Sequence, residues 1–372
     1  ATSSICPELE RVGMVSDAIW TDYDNDGKPD LIVVGEFMPI SVFRNTGSKL
    51  ERVSSSGLED YKGWWNSIAA GDFDRDGDID YVVGNLGLNN YYKANTTHPL
   101  KVFAKDIDNN GSVDAVLACY FKADDGSMQL YPVHFWDELN SQSPKFRKKF
   151  KYYKQYGKTS IDNLFTPEER QGMLELEANY FASSYIENHG NGKFTITPLP
   201  TLAQLSVING IVVDDVNGDG HLDILAVGND YGNEVFSGRL DALNGVLLVG
   251  NGKGKFKALN TQESGFYVPG NAKGLVKVST SRGDLYVATV NRDSIRVFSK
   301  GTGGTNAYFK PEPLDMSALL YFRDGSVQKV EFSYGSGFLS QSSRAIKITG
   351  DVVKIIVKDS KGNDREVRLN PI

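Results

Sequence analysis

Four short stretches of this 372-residue chain place oxygen-bearing side chains at one recurring spacing. The first is Asp22-Tyr23-Asp24-Asn25-Asp26-Gly27-Lys28-Pro29-Asp30, and the second is Asp72-Phe73-Asp74-Arg75-Asp76-Gly77-Asp78-Ile79-Asp80. A third sets Asp106, Asp108, Asn110, Ser112 and Asp114 in the same frame, and a fourth sets Asp215, Asn217, Asp219, His221 and Asp223. Oxygens at positions 1, 3 and 5 of a tight loop converge on one point, and the backbone carbonyl at position 7 joins them. An aspartate at position 9 completes an oxygen-only shell, which suits a hard, multi-coordinate cation such as Ca²⁺ better than Zn²⁺ or Cu²⁺. Position 7 needs only its backbone oxygen, so Lys28, Asp78, Ser112 and His221 are all acceptable there, and the His221 ring is not expected to bind the ion. Glycine at position 6 permits the sharp turn. Solvated Asp-Gly hairpin turns share this composition. Four copies in one frame, each leading into an apolar run, favour the metal. Four Ca²⁺ ions would carry the formal charge from −7 to about +1.

The elements that hold these loops are strands. An EF-hand closes with Glu at position 12 between helices, whereas here Leu31 to Gly35, Tyr81 to Gly84, Ala115 to Ala118 and Ile224 to Gly228 follow the loops as β-type runs. A fifth unit, Gly283 to Ala288, keeps the strands but has Val278 and Thr280 at ligand positions, so it is expected to bind no metal. The closing aspartates at 30, 80, 114, 223 and 284 are 50, 34, 109 and 61 residues apart. A four-stranded propeller blade needs ~40–50 residues, so the long interval contains a blade plus an insertion. Second strand pairs around Asn45-Thr46-Gly47 and Gly250-Asn251-Gly252 complete a meander within each unit. The expected fold class is all-β: a β-propeller with five recognisable units, a helical insertion and a small C-terminal β domain.

The four loops, with Gly63 to Asp72 and Gly228 to Gly232, resemble the FG-GAP/VCBS repeats of integrin-α-like β-propellers, of the type found in Bacteroidetes. The end of the chain is similar to an ASPIC/UnbV-like domain. This resemblance implies an exported protein of the periplasm or outer surface of a Gram-negative bacterium. It implies a fold of commonly seven blades, and it brings no defined activity. The domains expected are a propeller over 1–310, with a helical insertion at about 120–200, and a small all-β domain over 316–372.

Within the insertion, Pro144 to Lys158 interleaves seven basic residues with Phe146, Phe150, Tyr152, Tyr153 and Tyr156. Such a pattern serves either a single-stranded nucleic-acid or sugar platform or an amphipathic helix with buried rings and solvated lysines. Thr166-Pro167-Glu168-Glu169 is a capping box that predicts a helix to about Ala178. Long insertions carry specificity on a rigid scaffold, so Tyr131, His134, Trp136, Tyr152 and Tyr156 are the candidate ligand-binding residues. They would form one wall of a binding surface, with helices laid over a propeller face. The alternative is a plug that buries the rings. In the C-terminal piece, Ala318 to Phe322 with Val327 to Phe332, and Ala345 to Thr349 with Val352 to Val357, read as two hairpins. A last strand at Glu366 to Leu369 follows.

Composition narrows the function. A net charge of −7 argues against a general nucleic-acid or anionic-membrane surface, and no apolar run approaches the ~18 residues of a membrane span. Cys6 and Cys119 are too few for a disulfide scaffold or a four-cysteine zinc site. Ala1 to Glu10 lacks an initiator Met and a signal segment, and reads as the start of a mature protein or a cloned fragment. No nucleophile elbow, Walker loop, zincin motif or dinucleotide fingerprint is present, and the four histidines do not cluster in the sequence. The expected function is a calcium-stabilised exported module for a protein or glycan partner. The alternatives are a Ca²⁺-assisted carbohydrate-active enzyme and a structural domain of a larger surface protein.

Overall fold

The computed structural model describes residues 2–233, 237–300 and 307–369. It is mostly β, with 43% strand and 12% helix. The first sheet runs β1 (Met14–Thr21), β2 (Asp30–Pro39), β3 (Ser41–Asn45) and β4 (Leu50–Arg52), with β5 (Lys62–Trp64) pairing with the far end of β2. The second begins with β6 (Ser67–Gly71) and β7 (Asp80–Gly84). The chain then leaves to build a separate sheet from β8 (Leu100–Lys105), β9 (Asp114–Lys122), β10 (Met128–Pro132) and β11 (Leu174–Ala178), in the order β10-β9-β8-β11. It returns with β12 (Ser184–Asn188) and β13 (Phe194–Pro198), which complete the second sheet as β13-β12-β7-β6. A four-stranded sheet follows from β14 (Ile208–Asp214), β15 (Asp223–Gly228), β16 (Val246–Gly250) and β17 (Phe256–Leu259). A three-stranded sheet then forms from β18 (Ala272–Thr280), β19 (Gly283–Val290) and β20 (Arg296–Ser299).

The first strands of these units, β1, β6, β14 and β18, pack side by side in sequence order, so four sheets form a propeller-like arc. The second and third sheets are buried on both faces, which is why the runs in β7 and β15 are continuously apolar, whereas β19 at the end of the arc alternates. Successive side chains point to opposite faces. Along β7, Tyr81 and Val83 enter the core shared with the first sheet, whereas Val82 enters the core shared with the third. Along β15, Ile224 and Ala226 face the second sheet, and Leu225 and Val227 face the fourth. The glycines ending these runs mark close backbone approaches. A Cβ at Gly84 would stand 2.3 Å from the Ile208 carbonyl oxygen, and one at Gly228 would stand 1.7 Å from that of Val207.

The insertion therefore differs from the expected 120–200. The interruption in sheet order spans 85–183, and it includes the third acidic loop, between β8 and β9. That loop belongs to an inserted sheet rather than to a unit of the arc. The helices also lie elsewhere than expected. Five short helices between Trp136 and Arg170 pack on the inserted sheet, through Leu139, Phe146, Ile161, Leu164 and Phe165 against Phe103, Val116 and Ala118. The sheet's other face, with Leu100, Leu117 and Cys119, packs with Leu86 on Phe37 and Val207 of the arc. The capping box at Thr166 forms, with Glu169 N–H donating to Thr166 Oγ1, but its helix ends at Arg170. Gly172, at φ +73°, turns the chain, and Leu174-Glu175-Leu176-Glu177 has the two-residue period of a strand; it pairs with β8.

The C-terminal sheet is β23-β22-β25-β26, from β22 (Asp315–Phe322), β23 (Val327–Glu331), β25 (Val352–Asp359) and β26 (Asp364–Val367). The β22–β23 hairpin is as expected. The second expected hairpin does not form: β24 (Ile346–Ile348) pairs with β21 (Ala307–Phe309), while β25 pairs with β22 and β26. This unit bridges the two ends of the arc. Ser333 Oγ donates to Trp20 O at the end of β1, and Ser343 N–H donates to Lys277 O on β18.

Candidate functional site

The four acidic loops share one backbone. Position 4 is left-handed in each, at Asn25, Arg75, Asn109 and Gly218, and so is the glycine at position 6, with φ between +83° and +93° at Gly27, Gly77, Gly111 and Gly220. Two left-handed residues in six tighten the loop so that side chains at positions 1 and 3 turn inward. Backbone N–H groups hold position 1: Gly27 donates to Asp22, Gly111 to Asp106 and Gly220 to Asp215. Position 9 starts the next strand and is buried in every copy: Asp30, Asp80, Asp114 and Asp223 are at most 2% exposed.

Three groups of carboxylates gather, each with ligand oxygens within 4.8 Å of one another: Asp22, Asp24 and Asp30; Asp72, Asp74 and Asp76; Asp106, Asp108 and Asp114. The position-9 residue thus faces the cluster in the first and third loops only. In the second, Asp80 uses both oxygens elsewhere, accepting from Asn188 N–H at 2.9 Å and Tyr185 Oη at 2.7 Å. In the fourth, Asp223 accepts from Gly250, Val216 and Asn217 N–H groups, and Asn217 Nδ2 donates to Asp219. Asp215, Asp219 and Asp223 form no such carboxylate group among the described residues; position 3 of that loop is Asn217, a neutral oxygen donor. At position 7, Asp78 turns its carboxylate away to Asn25 Nδ2, and the His221 ring packs on Gly252. Lys28 pairs with Asp26 at 2.7 Å, and Ser112 N–H donates to Asn110 Oδ1. Between β18 and β19, Ser281 and Arg282 form a two-residue turn, Val278 lies in the strand, and Asp284 accepts from Ser279 Oγ at 2.7 Å.

The three clusters fit a hard cation. Asp30 Oδ2 and Asp72 Oδ1 are buried and have no hydrogen-bond partner among the described residues. Burial, reinforced by Asp24, Asp26 and Asp22, pushes the Asp30 carboxyl up to about 7. Burial likewise raises Asp72 to about 7, with Asp76 and Asp74 adding to it, and lifts Asp114 beside Asp108 and Asp106. Carboxylates in that condition are short of positive charge, and an ion held by oxygen ligands supplies it. Protein cations supply part of it at the first loop, where Arg44 Nε lies 2.7 Å from Asp24. Lys329 of the C-terminal sheet adds another, 3.6 Å from Asp22, while its backbone N–H donates to Asp72.

Residues 22–83 match the FG-GAP-like repeat. The match spans the first two acidic loops and the strands that follow each, and it supports the propeller-like reading of the arc. FG-GAP repeats are typical of extracellular or surface proteins. No curated protein matches the chain. No helix among the described residues is long and apolar enough to cross a membrane.

The expected ligand residues fall into two groups. Tyr131 and Tyr156 line one cleft of about 600 Å³ at the edge strand β10, the buried Tyr156 donating through Oη to His134 O. His134 is partly buried, which lowers its pKa, and its Nε2 accepts from Leu117 N–H, so this ring serves the inserted sheet. Trp136 lies edge-on to Tyr153 at 4.7 Å, and Tyr152 is 60% exposed; neither lines the cleft. Three of the seven basic residues are tied into the protein, Lys145 donating to Ile107 O, Lys149 to Leu164 O and Glu169, and Lys158 pairing with Asp124, while Arg147, Lys148, Lys151 and Lys154 are exposed. Sequence reasoning missed Tyr91, Phe121 and Gln129, which complete the cleft. The period-2 pairing of Phe121 with Gln129 beside Tyr131 was the available signal. Tyr91 comes from a segment with no repeat pattern.

Proposed function

We propose that this protein is a calcium-stabilised, exported propeller-type module that presents a surface to a protein or glycan partner. The division into a propeller of residues 1–310 and a C-terminal domain of 316–372 is part of that proposal. The carrying observation is the gathering of carboxylates at three loops of one conformation, each around one buried aspartate, with Asp30 Oδ2 and Asp72 Oδ1 left without a hydrogen-bond partner among the described residues. Asp22, Asp24 and Asp30 would hold one ion, Asp72, Asp74 and Asp76 a second, and Asp106, Asp108 and Asp114 a third. The ion would supply positive charge and cross-link loop to strand. The chain supplies the rest: glycine-turned loops, N–H groups that aim the position-1 carboxylates, and buried strand starts. An exported module of this kind would bind Ca²⁺ with Kd of ~10⁻⁴–10⁻³ M.

Elemental analysis of the purified chain and melting curves with and without chelator test this. An ion bound only to the folded state adds ~2.7 kcal/mol per site at a hundredfold excess over Kd. Chelation should lower Tm, and Asp74→Ala should reproduce part of the loss. Absence of calcium together with a chelator-indifferent Tm refutes the proposal.

A further inference from the structure

The cleft at β10 has a composition that selects a ligand class, and we infer that it is a binding site for a neutral saccharide. The inference rests on reading the chain as a binding module, and deepens it. Three aromatic rings form a row along the cleft: Tyr91 to Phe121 at 5.6 Å and Phe121 to Tyr131 at 6.4 Å, each pair tilted by 51°. The row stays open to solvent, with Tyr91 50% exposed and Phe121 and Tyr131 half-buried. Phe121 and Tyr131 share one face of the β9–β10 hairpin, because Phe121 pairs with Gln129 and Tyr131 lies two residues further on. A rigid, two-stranded base therefore sets the ring spacing.

The rim is polar and balanced in charge. Lys122 and Lys158 stand against Asp124 and Asp125, with Lys158 and Asp124 already paired at 2.5 Å, and Gln129 Oε1 accepts from Tyr131 Oη at 3.5 Å. A site for phosphate or a polyanion would carry net positive charge, and a site for a purely apolar ligand would lack this rim. A ligand with one apolar C–H face and an edge of uncharged hydroxyls satisfies both halves. The rings take the face, and the carboxylates, amide and ammonium groups take donors and acceptors from the hydroxyls. At about 600 Å³ the cleft lies within the ~300–1,000 Å³ range of small-ligand sites. It lies on the inserted sheet rather than at the acidic loops of the arc.

The full chain should be screened on an array of neutral and anionic glycans, and the best neutral oligosaccharide titrated by calorimetry with calcium present and with chelator. Binding to neutral members is expected. Tyr131→Ala and Tyr91→Ala should each weaken it at least tenfold, Gln129→Ala on the rim should weaken it with unchanged Tm, and Tyr152→Ala, outside the cleft, should leave it unaltered. Binding confined to anionic glycans, no binding to any glycan, or binding indifferent to Tyr131, Tyr91 and Gln129 overturns the inference. Capture of an extended peptide along edge strand β10 in place of a glycan overturns it as well. Calcium content and chelator-dependent Tm are read separately, so a failed metal reading with intact Gln129-dependent binding leaves the cleft standing, and the reverse result removes only the cleft.

Discussion

Lys329→Met tests whether the C-terminal sheet is electrically locked to the acidic loops. The Lys329 side chain is only 6% exposed, and its ammonium lies 3.6 Å from Asp22 Oδ2 and 3.7 Å from Glu331 Oε1. It also donates to Asp22 O at 3.0 Å and to Asn25 Oδ1. Each charge contact is worth about 4–5 kcal/mol gross at an effective dielectric constant of ~20, and desolvation of the three charges offsets most of that. Removing the cation is a different matter, because Glu331 remains buried with Oε2 lacking a hydrogen-bond partner among the described residues and Asp22 loses its counter-charge. Breaking a buried pair this way costs ~3–5 kcal/mol. Methionine retains the length of the stem, so lost packing adds little. At roughly 2 °C per kcal/mol for a chain of this size, calorimetry in chelator should show Tm lowered by about 6–10 °C. With saturating Ca²⁺ the loss should shrink, since an ion among Asp22, Asp24 and Asp30 takes over the charge of Asp22. The control Lys253→Met, at an exposed lysine, should move stability by no more than ~0.5 kcal/mol. A Tm within 2 °C of wild type in chelator would refute the lock and the docking of β23 beside the loops.

Burial raises Asp17 to about 6, against the N–H groups of Ile68 and Ala18 that its oxygens accept. Its folded pKa exceeds the unfolded 3.8, so the folded state binds the extra proton, and this contribution to stability is present below pH 3.8 and lost as pH rises through 6. At saturating calcium, the stability of Asp17→Asn relative to wild type should therefore rise by more than 1 kcal/mol between pH 4 and 7 in urea titrations; a flat difference counts against it. Gly228→Ala forces a Cβ against the Val207 carbonyl, and should leave the protein largely insoluble or destabilised by ~3 kcal/mol or more. Gly350→Ala, with nothing within 4 Å of its Cβ position, should be neutral in the same melting assay.

How far the sequence carries can be judged from particular residues. The loop frame, the glycines at position 6 and the apolar runs after each loop are local patterns, and the structure places strands and turns where they fall. Local patterns fail where two structures share one signal. Leu174 to Ala178 follows a sound capping box yet forms β11, because β8 supplies a pairing edge that outweighs helix extension. The third loop has the same spacing as the others, but spacing does not say which sheet the next strand joins. Its strand β9 therefore belongs to the insertion.

By itself the sequence determined that this is an all-β repeat protein with oxygen-rich loops, since turn conformation and strand burial depend on residues within ten positions of one another. The tertiary structure decided which loops gather carboxylates. Asp80 and Asp30 match in sequence, and each gives one oxygen to a neighbouring strand, at Asn188 and Asn45, yet Tyr185, 105 residues beyond Asp80, takes its second oxygen while Asp30 Oδ2 stays without a partner among the described residues. It also decided that Lys329, 307 residues beyond Asp22, supplies charge to the first loop, and that Tyr91 joins Phe121 and Tyr131 in one cleft. These are contacts between segments far apart along the chain, set by how whole sheets pack, and no local spacing encodes them.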